Sequence, residues 1–461
     1  MTTRSTRWLR LLALLFAIAL IASACGDDGD DAGSTGDAGE PATEEPTAAP
    51  DDAADDMASD DDMVDDDMAS DDDMADDDMA DDMDDMGHAA DDSLPAVKIG
   101  LIAQDEELLA FPEVRSVSQA FVDYFNAELA GAGGHPIELV VCGAGDAPES
   151  HVACAQEFIN ADDIHLVITA GFLANSAAAA SLFAEAGVPT LTLGNDFLDY
   201  LIPGVFTLDP GLPGLAQVFF VYATEVRGDV TATLFIADDP GFEPFIPALQ
   251  AIAESNGMLI NEVVPLGFEP DLTGPVSAAN LDNDAWLFVL ADGAQCGASA
   301  SAVATVGYEG STYANDLCMA QDVIESGALN GWAGPVVSAA PTVDGGDEVD
   351  LIVHVLETYG DDDSQTAGLA GWSLANIYAA RDVLTAAGLA EATRESVMAA
   401  LSTYSSTEIP GFPDVSCPGP SVWAGACNQS PLMVVVDDGQ LTSPDGFVQL
   451  DFSELDFLLG G

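Results

Sequence analysis

Seven cysteines hold most of the reactive chemistry available to this chain. Cys25 stands alone near the N-terminus. The others, Cys142, Cys154, Cys296, Cys318, Cys417 and Cys427, fall into three pairs of near neighbours. Thiolates can ligate a metal, attack an electrophile or join as disulfides. No CxxC spacing occurs and no histidine is placed as a partner, so bridges are expected: Cys142–Cys154, Cys296–Cys318 and Cys417–Cys427. Each closed loop contributes on the order of 3 kcal/mol if unstrained. No GxSxG, HExxH, P-loop or full GxGxxG sequence is present, and beyond residue 93 the histidines are His135, His151, His165 and His354. Ser/His/Asp members need not be adjacent in sequence, so a hydrolase stays open as a lesser alternative. No catalytic residue, cofactor or metal site is assigned.

Arg4, Arg7 and Arg10 precede the apolar run Leu11 to Ala22, and small residues Ser23 and Ala24 precede Cys25. That is an export signal (residues 1–24) rather than a membrane span. A cysteine at the first mature position resembles the bacterial lipoprotein pattern, which implies that the Cys25 sulfur is lipidated and tethers the protein to the cell membrane. A secretory signal with an incidental cysteine is the alternative. Residues 25–93 are mostly Asp, Ala, Met, Gly and Ser in an imperfect repeat such as Met57-Ala-Ser-Asp-Asp-Asp-Met63. This composition cannot bury enough apolar surface to offset chain entropy, and its like charges repel. A solvated, disordered stalk is expected. Metal capture by its carboxylates and thioethers is the rival reading, but nothing in the repeat fixes a coordination geometry.

About 365 residues remain, more than one hydrophobic core normally serves, so two lobes are expected. Their basic residues are Lys98, Arg115, Arg227, Arg381 and Arg394. Nucleic acid and anionic membrane surfaces require clustered Lys and Arg, so neither is a partner of this surface. The formal net charge of −73 fits an extracytoplasmic, water-exposed protein and a saline habitat.

The elements that must position any site alternate regularly. Val97 to Ala103, Pro136 to Cys142, His165 to Ala170 and Val188 to Leu193 are short apolar runs of the kind that form buried parallel strands. Between them, Val114 to Leu129, Pro148 to Asn160 and Asn175 to Glu185 read as helices. After Leu208-Asp-Pro-Gly-Leu-Pro-Gly214 a second series begins, with strands Ala232 to Ala237, Met258 to Val264 and Ala285 to Leu290. Two such series predict an α/β chain of two doubly wound parallel-sheet lobes. Ligands of that architecture bind outside the carboxyl ends of the strands, here the cleft between lobes.

Lys98-Ile-Gly-Leu-Ile, Gly133-Gly134-His-Pro-Ile-Glu-Leu-Val-Val, Ile168-Thr-Ala-Gly171, Glu185-Ala-Gly-Val-Pro189 and Val205-Phe-Thr-Leu-Asp-Pro210 follow one another in the order seen in branched-chain amino-acid-type periplasmic binding proteins. Ala304-Thr-Val-Gly-Tyr308 and Gly371-Trp-Ser-Leu-Ala-Asn-Ile-Tyr378 continue the series. The chain thus resembles the type I solute-binding receptors of ABC importers from about Ala96 to Asp438. The resemblance implies a Venus-flytrap fold with a hinge of three crossings: residues 94–212 and 336–405 in lobe 1, and 213–335 and 406–461 in lobe 2. It implies binding of a small-molecule ligand, delivery to an ABC transporter permease, and no enzymatic step. A ligand sensor for a signalling partner, or a surface protein without transport, are the alternatives.

The same resemblance places an amino-acid carboxylate at the strand-to-helix turn that holds Asn175 and Ser176, where helix N-termini favour anions. Both residues also suit plain N-capping. Ala177 stands where a serine or threonine is common. The next strand end reads Gly194-Asn195-Asp196, with Asp196 where a threonine usually helps bind the ligand. Phe242 aligns with an aromatic that covers the ligand, and Asp316 with the acidic residue that meets an ammonium group. Phe111 and Trp372 are candidate apolar walls. With Asp196 and Asp316 facing the cleft and little positive charge available, a cationic or amine-bearing ligand is expected over a dianion.

Overall fold

The computed structural model describes residues 88–105, 110–170, 174–194, 199–343, 345–420 and 422–459. Cys25, the stalk repeat, Asn195 and Asp196 lie outside the described residues, as do the side chains of Asn175 and Ser176.

Strands β1 (Val97–Gln104), β2 (Ile137–Ala144), β3 (Ile164–Thr169), β4 (Thr190–Thr192) and β5 (Val205–Phe206) form one sheet in the order β2-β1-β3-β4-β5. Every pairing in it is parallel. Ile99, Leu101, Leu166, Ile168 and Leu191 face one core, while Ile102, Val167 and Val188 face another. That two-sided burial explains why these strands are continuous apolar runs rather than alternating ones. Helices α1 (Pro112–Glu128), α2 (Pro148–Asn160) and α3 (Ala174–Ala186) connect the strands. Val114, Val117, Phe121 and Phe125 supply the buried stripe of α1.

The second sheet contains β6 (Thr231–Ala237), β7 (Leu259–Leu266), β8 (Ala285–Val289), β9 (Ser311–Ala314), β10 (Ala333–Val336), β13 (Leu432–Asp437) and β14 (Gln440–Thr442), ordered β14-β13-β10-β9-β8-β6-β7. Its first five strands are parallel, but β13 runs antiparallel to β10 and β14 antiparallel to β13. Strand-and-helix alternation led to an expectation of parallel sheets, and this edge departs from it. Asp438 and Gly439 both take positive φ, +48° and +77°, and close the β13–β14 hairpin in two residues. A loop that short can join only antiparallel strands. The two remaining strands, β11 (Ser405–Ser406) and β12 (Val415–Ser416), pair only with each other.

Helices α4 (Gly211–Val221) and α5 (Phe245–Ser255) cover one face of the second sheet, against Leu234, Ile236 and Leu287. The opposite face meets α6 (Thr273–Ser277), α7 (Gly293–Val306) and α8 (Gln321–Glu325) through Phe235, Trp286, Phe288, Cys296 and Val323. After β10 the chain returns to the first sheet as α9 (Gly346–Tyr359), α10 (Ala370–Ala387) and α11 (Arg394–Leu401), which pack on α1 and β3. Ala370 to Ala380 of α10 are all buried. At Gly371 a side chain would strike the Ser338 hydroxyl, so only glycine lets α10 lie this close to the segment leaving β10.

Three disulfides pin these layers. Cys142–Cys154 ties β2 to α2, Cys296–Cys318 ties α7 to the 3₁₀ turn Asp316–Met319, and Cys417–Cys427 closes the approach to β13.

Candidate functional site

The connection between the sheets, Thr207 to Gly211, is tightly hydrogen-bonded. The buried Asp209 carboxylate accepts from the Gly211 N–H at 3.1 Å and the Gly194 N–H at 3.5 Å. The buried Tyr200 hydroxyl lies 3.1 Å from the Gly194 carbonyl and 3.3 Å from that of Pro210, the two acceptors open to its proton. Gly211 has φ +55°, and a side chain there would strike the Tyr200 hydroxyl, which explains the glycine after Pro210. The backbone of Gly194 is therefore committed to the connection: its N–H to Asp209, its carbonyl to Tyr200 and to the Leu212 N–H at 2.9 Å.

Asp316 opens the 3₁₀ turn after β9, held by the neighbouring Cys318 bridge. It is close enough to Asp209 for the two charges to repel. Burial pushes Asp316 up to about 6, against the opposing effect of the Leu317 N–H and its own. Burial likewise pushes Asp209 up to about 7, opposed by the N–H donors of Gly194 and Gly211. Asp316 retains some contact with water whereas Asp209 has almost none, which fits the larger displacement of Asp209. Burial thus disfavours the charged form of both carboxyl groups, although only Asp316 reaches the cavity described next.

Asp316 and Phe242 line the same cavity, of about 70 Å³. It lies between α4, α5 and the second sheet, and Leu369 at the start of α10 also reaches it. Leu212, Leu215, Ala216 and Phe219 come from α4, Phe245 and Leu249 from α5, and Leu234, Leu287 and Val289 from the strands. Its polar groups are confined to Asn315 and Asp316. Asn315 is itself occupied, donating to the Leu290 carbonyl and accepting from the Leu290 N–H, both at 3.0 Å.

Phe111 lies elsewhere, in a separate polar depression of about 590 Å³ shared by Glu113, Asp292 and the Asp362–Gln365 loop. Trp372 is wholly buried in the core below α10, its indole N–H unpaired, and Leu369 is the α10-end residue at the cavity. Sequence reasoning passed over Asp209 as part of a crossing. The available signal was a carboxylate set among apolar residues directly before Pro-Gly. Thr169 and Thr192 were also passed over: they pair across β3 and β4, and their buried hydroxyls have no partner.

No described cation faces the cavity. Lys98 pairs with Asp163 at 2.8 Å and Arg115 with Asp105 at 2.5 Å. Arg381 donates to the carbonyls of Gly131 and Leu129, and Arg394 to those of Phe158, Ile159 and Ala161. Arg227 lies over the Tyr222 ring. Among the described residues no cluster of His, Cys, Asp or Glu could hold a metal ion, and no helix is long and apolar enough to cross a membrane.

Two parallel-dominated sheets, covered by helices and joined by crossings, define a type I binding-protein fold. The sequence model described as periplasmic binding protein matches residues 96–430, so this chain belongs to that family, the solute-binding proteins of ABC transporters. The family is extracytoplasmic and generally non-enzymatic. Among solved structures, the chain is similar to a leucine-binding protein from Thermotoga maritima, at 16% identity and TM-score 0.63 over 77% of this chain and 99% of that one. A branched-chain amino acid transporter substrate-binding protein from Streptococcus pneumoniae, in complex with isoleucine, matches at 14% identity and TM-score 0.64 over 77% and 100%. A solute-binding protein from Rhodopseudomonas palustris, in complex with 3,4-dihydroxybenzoic acid, matches at 18% identity and TM-score 0.63 over 77% and 97%. Curated protein sequences give no match.

Proposed function

We propose that this chain is a lipid-anchored extracytoplasmic receptor that binds a small amino-acid-like or amine-bearing solute between two lobes and hands it to an ABC importer. The observation that carries the amine preference is Asp316 on the lining of the cavity, with every described cation engaged elsewhere. Structural neighbours include receptors solved with isoleucine and with aromatic acids. An aromatic carboxylate at this cavity would meet like charge without a counter-cation, whereas an ammonium group would find the Asp316 carboxylate. Asp196, Asn175 and Ser176 are further proposed contacts, the last two at the N-terminus of α3, where a ligand carboxylate would be accommodated. Phe242 covers the ligand, whereas Phe111 lines a separate depression.

Binding does no chemistry here. It shifts an open–closed equilibrium in which residues 94–212 and 336–405 move against 213–335 and 406–461, and the permease recognises the closed form. A thermal-shift screen of amino acids, amides, polyamines and small organic acids tests the ligand class, because a ligand that binds only the folded state raises the melting temperature. A rise with amines or amino acids that is lost in Asp316→Ala supports the reading; a rise confined to organic acids rejects it. Metabolic labelling with a fatty-acid analogue, lost in Cys25→Ser, tests the anchor.

A further inference from the structure

An amine reading leaves the other end of the ligand unspecified, and the cavity beside Asp316 supplies that end. Its walls are aliphatic and aromatic: Leu215 and Phe219 on α4, Phe245 and Leu249 on α5, Leu234 and Leu287 on the sheet. Phe242, at its border, is 3% exposed. Protein interiors rarely leave voids of this kind, because unfilled space forfeits dispersion contacts along its lining. An apolar space with one carboxylate at its polar end is complementary in both charge and polarity to an amphiphile: ammonium outward at Asp316, hydrocarbon inward. An engineered apolar cavity of ~150 Å³ admits benzene. About 70 Å³ is roughly half of that, which suits an unbranched or once-branched arm of three to four carbons.

Resting on the amine reading above, we propose that the ligand is a primary amine whose short apolar arm inserts into the lobe 2 cavity between α4, α5 and the sheet, with its ammonium group at Asp316. The arm, rather than a carboxylate, then sets selectivity. Each methylene buried adds roughly fourfold to affinity until the cavity is full.

Titration calorimetry of the full chain with n-alkylamines from methyl to hexyl tests this. Affinity is expected to climb about fourfold per carbon to butyl or pentyl and then to level or fall. Ala216→Leu, which adds volume at the α4 wall, should move the break to a shorter arm. Leu287→Ala, which enlarges the cavity from the sheet side, should move it to a longer one. Opposite shifts from two walls cannot arise from general destabilisation, and circular dichroism establishes that each variant is folded. Amines that bind with no dependence on arm length, or a break that neither variant moves, would overturn the cavity assignment while leaving the amine reading in place. Failure of every amine, alongside binding of carboxylates, would overturn both.

Discussion

Asp316 and Asp209 are two of the buried carboxyl groups that tie this protein's stability to pH, beside Glu113 and Asp382, which burial also raises. In the unfolded chain Asp316 and Asp209 each titrate near the ordinary aspartate value of 3.8, and burial raises them to about 6 and about 7. At these two sites the folded state therefore binds more protons than the unfolded state between about pH 4 and 7, and their contribution to stability falls as pH rises through that window before levelling. Asp316→Asn removes one of the two charges. Its melting temperature is expected to match the parent near pH 4, to exceed it increasingly up to pH 6 or 7, and to keep that advantage above; an advantage independent of pH would show that Asp316 does not titrate this way. On the proposed reading, amine binding runs in the opposite sense, since it requires the Asp316 carboxylate and expels its proton. Affinity for butylamine should rise from pH 5 to 7, by up to about tenfold per unit for each proton released, and flatten above. Calorimetry in buffers of different ionisation enthalpy counts the protons, and a zero count would reject the assignment.

Two elements fix where those residues stand. The 3₁₀ turn that begins at Asp316 is tied to α7 by Cys296–Cys318, whereas Cys417–Cys427 closes a loop ahead of β13. Replacing Cys296 and Cys318 together by Ala should weaken amine binding at temperatures where the protein remains folded, and lower stability by ~3 kcal/mol. The equivalent change at Cys417 and Cys427 should cost stability with much less effect on affinity, and equal losses from both would mean that the turn is positioned by packing instead. Helix α10 supplies a second case. Gly371→Ala should cost ~1–3 kcal/mol in denaturant unfolding because the new methyl group meets Ser338, with part recovered by Ser338→Gly. The long strands and helices were legible in sequence because burial on both sheet faces leaves unbroken apolar runs such as Leu166 to Ile168. Strand β5 has two residues and β10 contains a glycine and a proline, so neither carries a periodic signal. The antiparallel edge was announced by Asp438-Gly439 between apolar runs. Phe242 and Asp316 were placed by resemblance to a family, and they do share one cavity. The cavity itself could not be read, since it depends on how far α4 and α5 stand from the sheet. Trp372 shows the converse: a large aromatic at a helix start looks like a wall, yet its size also makes it core.

At the scale of the whole molecule, the part beyond residue 93 carries 51 acidic residues against 5 basic ones, a strong excess of like charge. Such a surface resists association but repels itself in the compact state, and salt screens that repulsion over a Debye length of ~8 Å at physiological ionic strength. The melting temperature of the ligand-free protein should therefore climb between 0.05 and 1 M sodium chloride, most steeply at the low end. On the proposed reading the same field draws the amine toward Asp316, so screening it should slow association and lower affinity over the same range. Stability and amine affinity are thus expected to move in opposite directions as salt is added. Differential scanning fluorimetry and stopped-flow binding measured in parallel separate this from a general salting-out effect, which would raise stability and also favour burial of the apolar arm. Should both quantities rise together, hydrocarbon burial rather than the Asp316 carboxylate would dominate recognition.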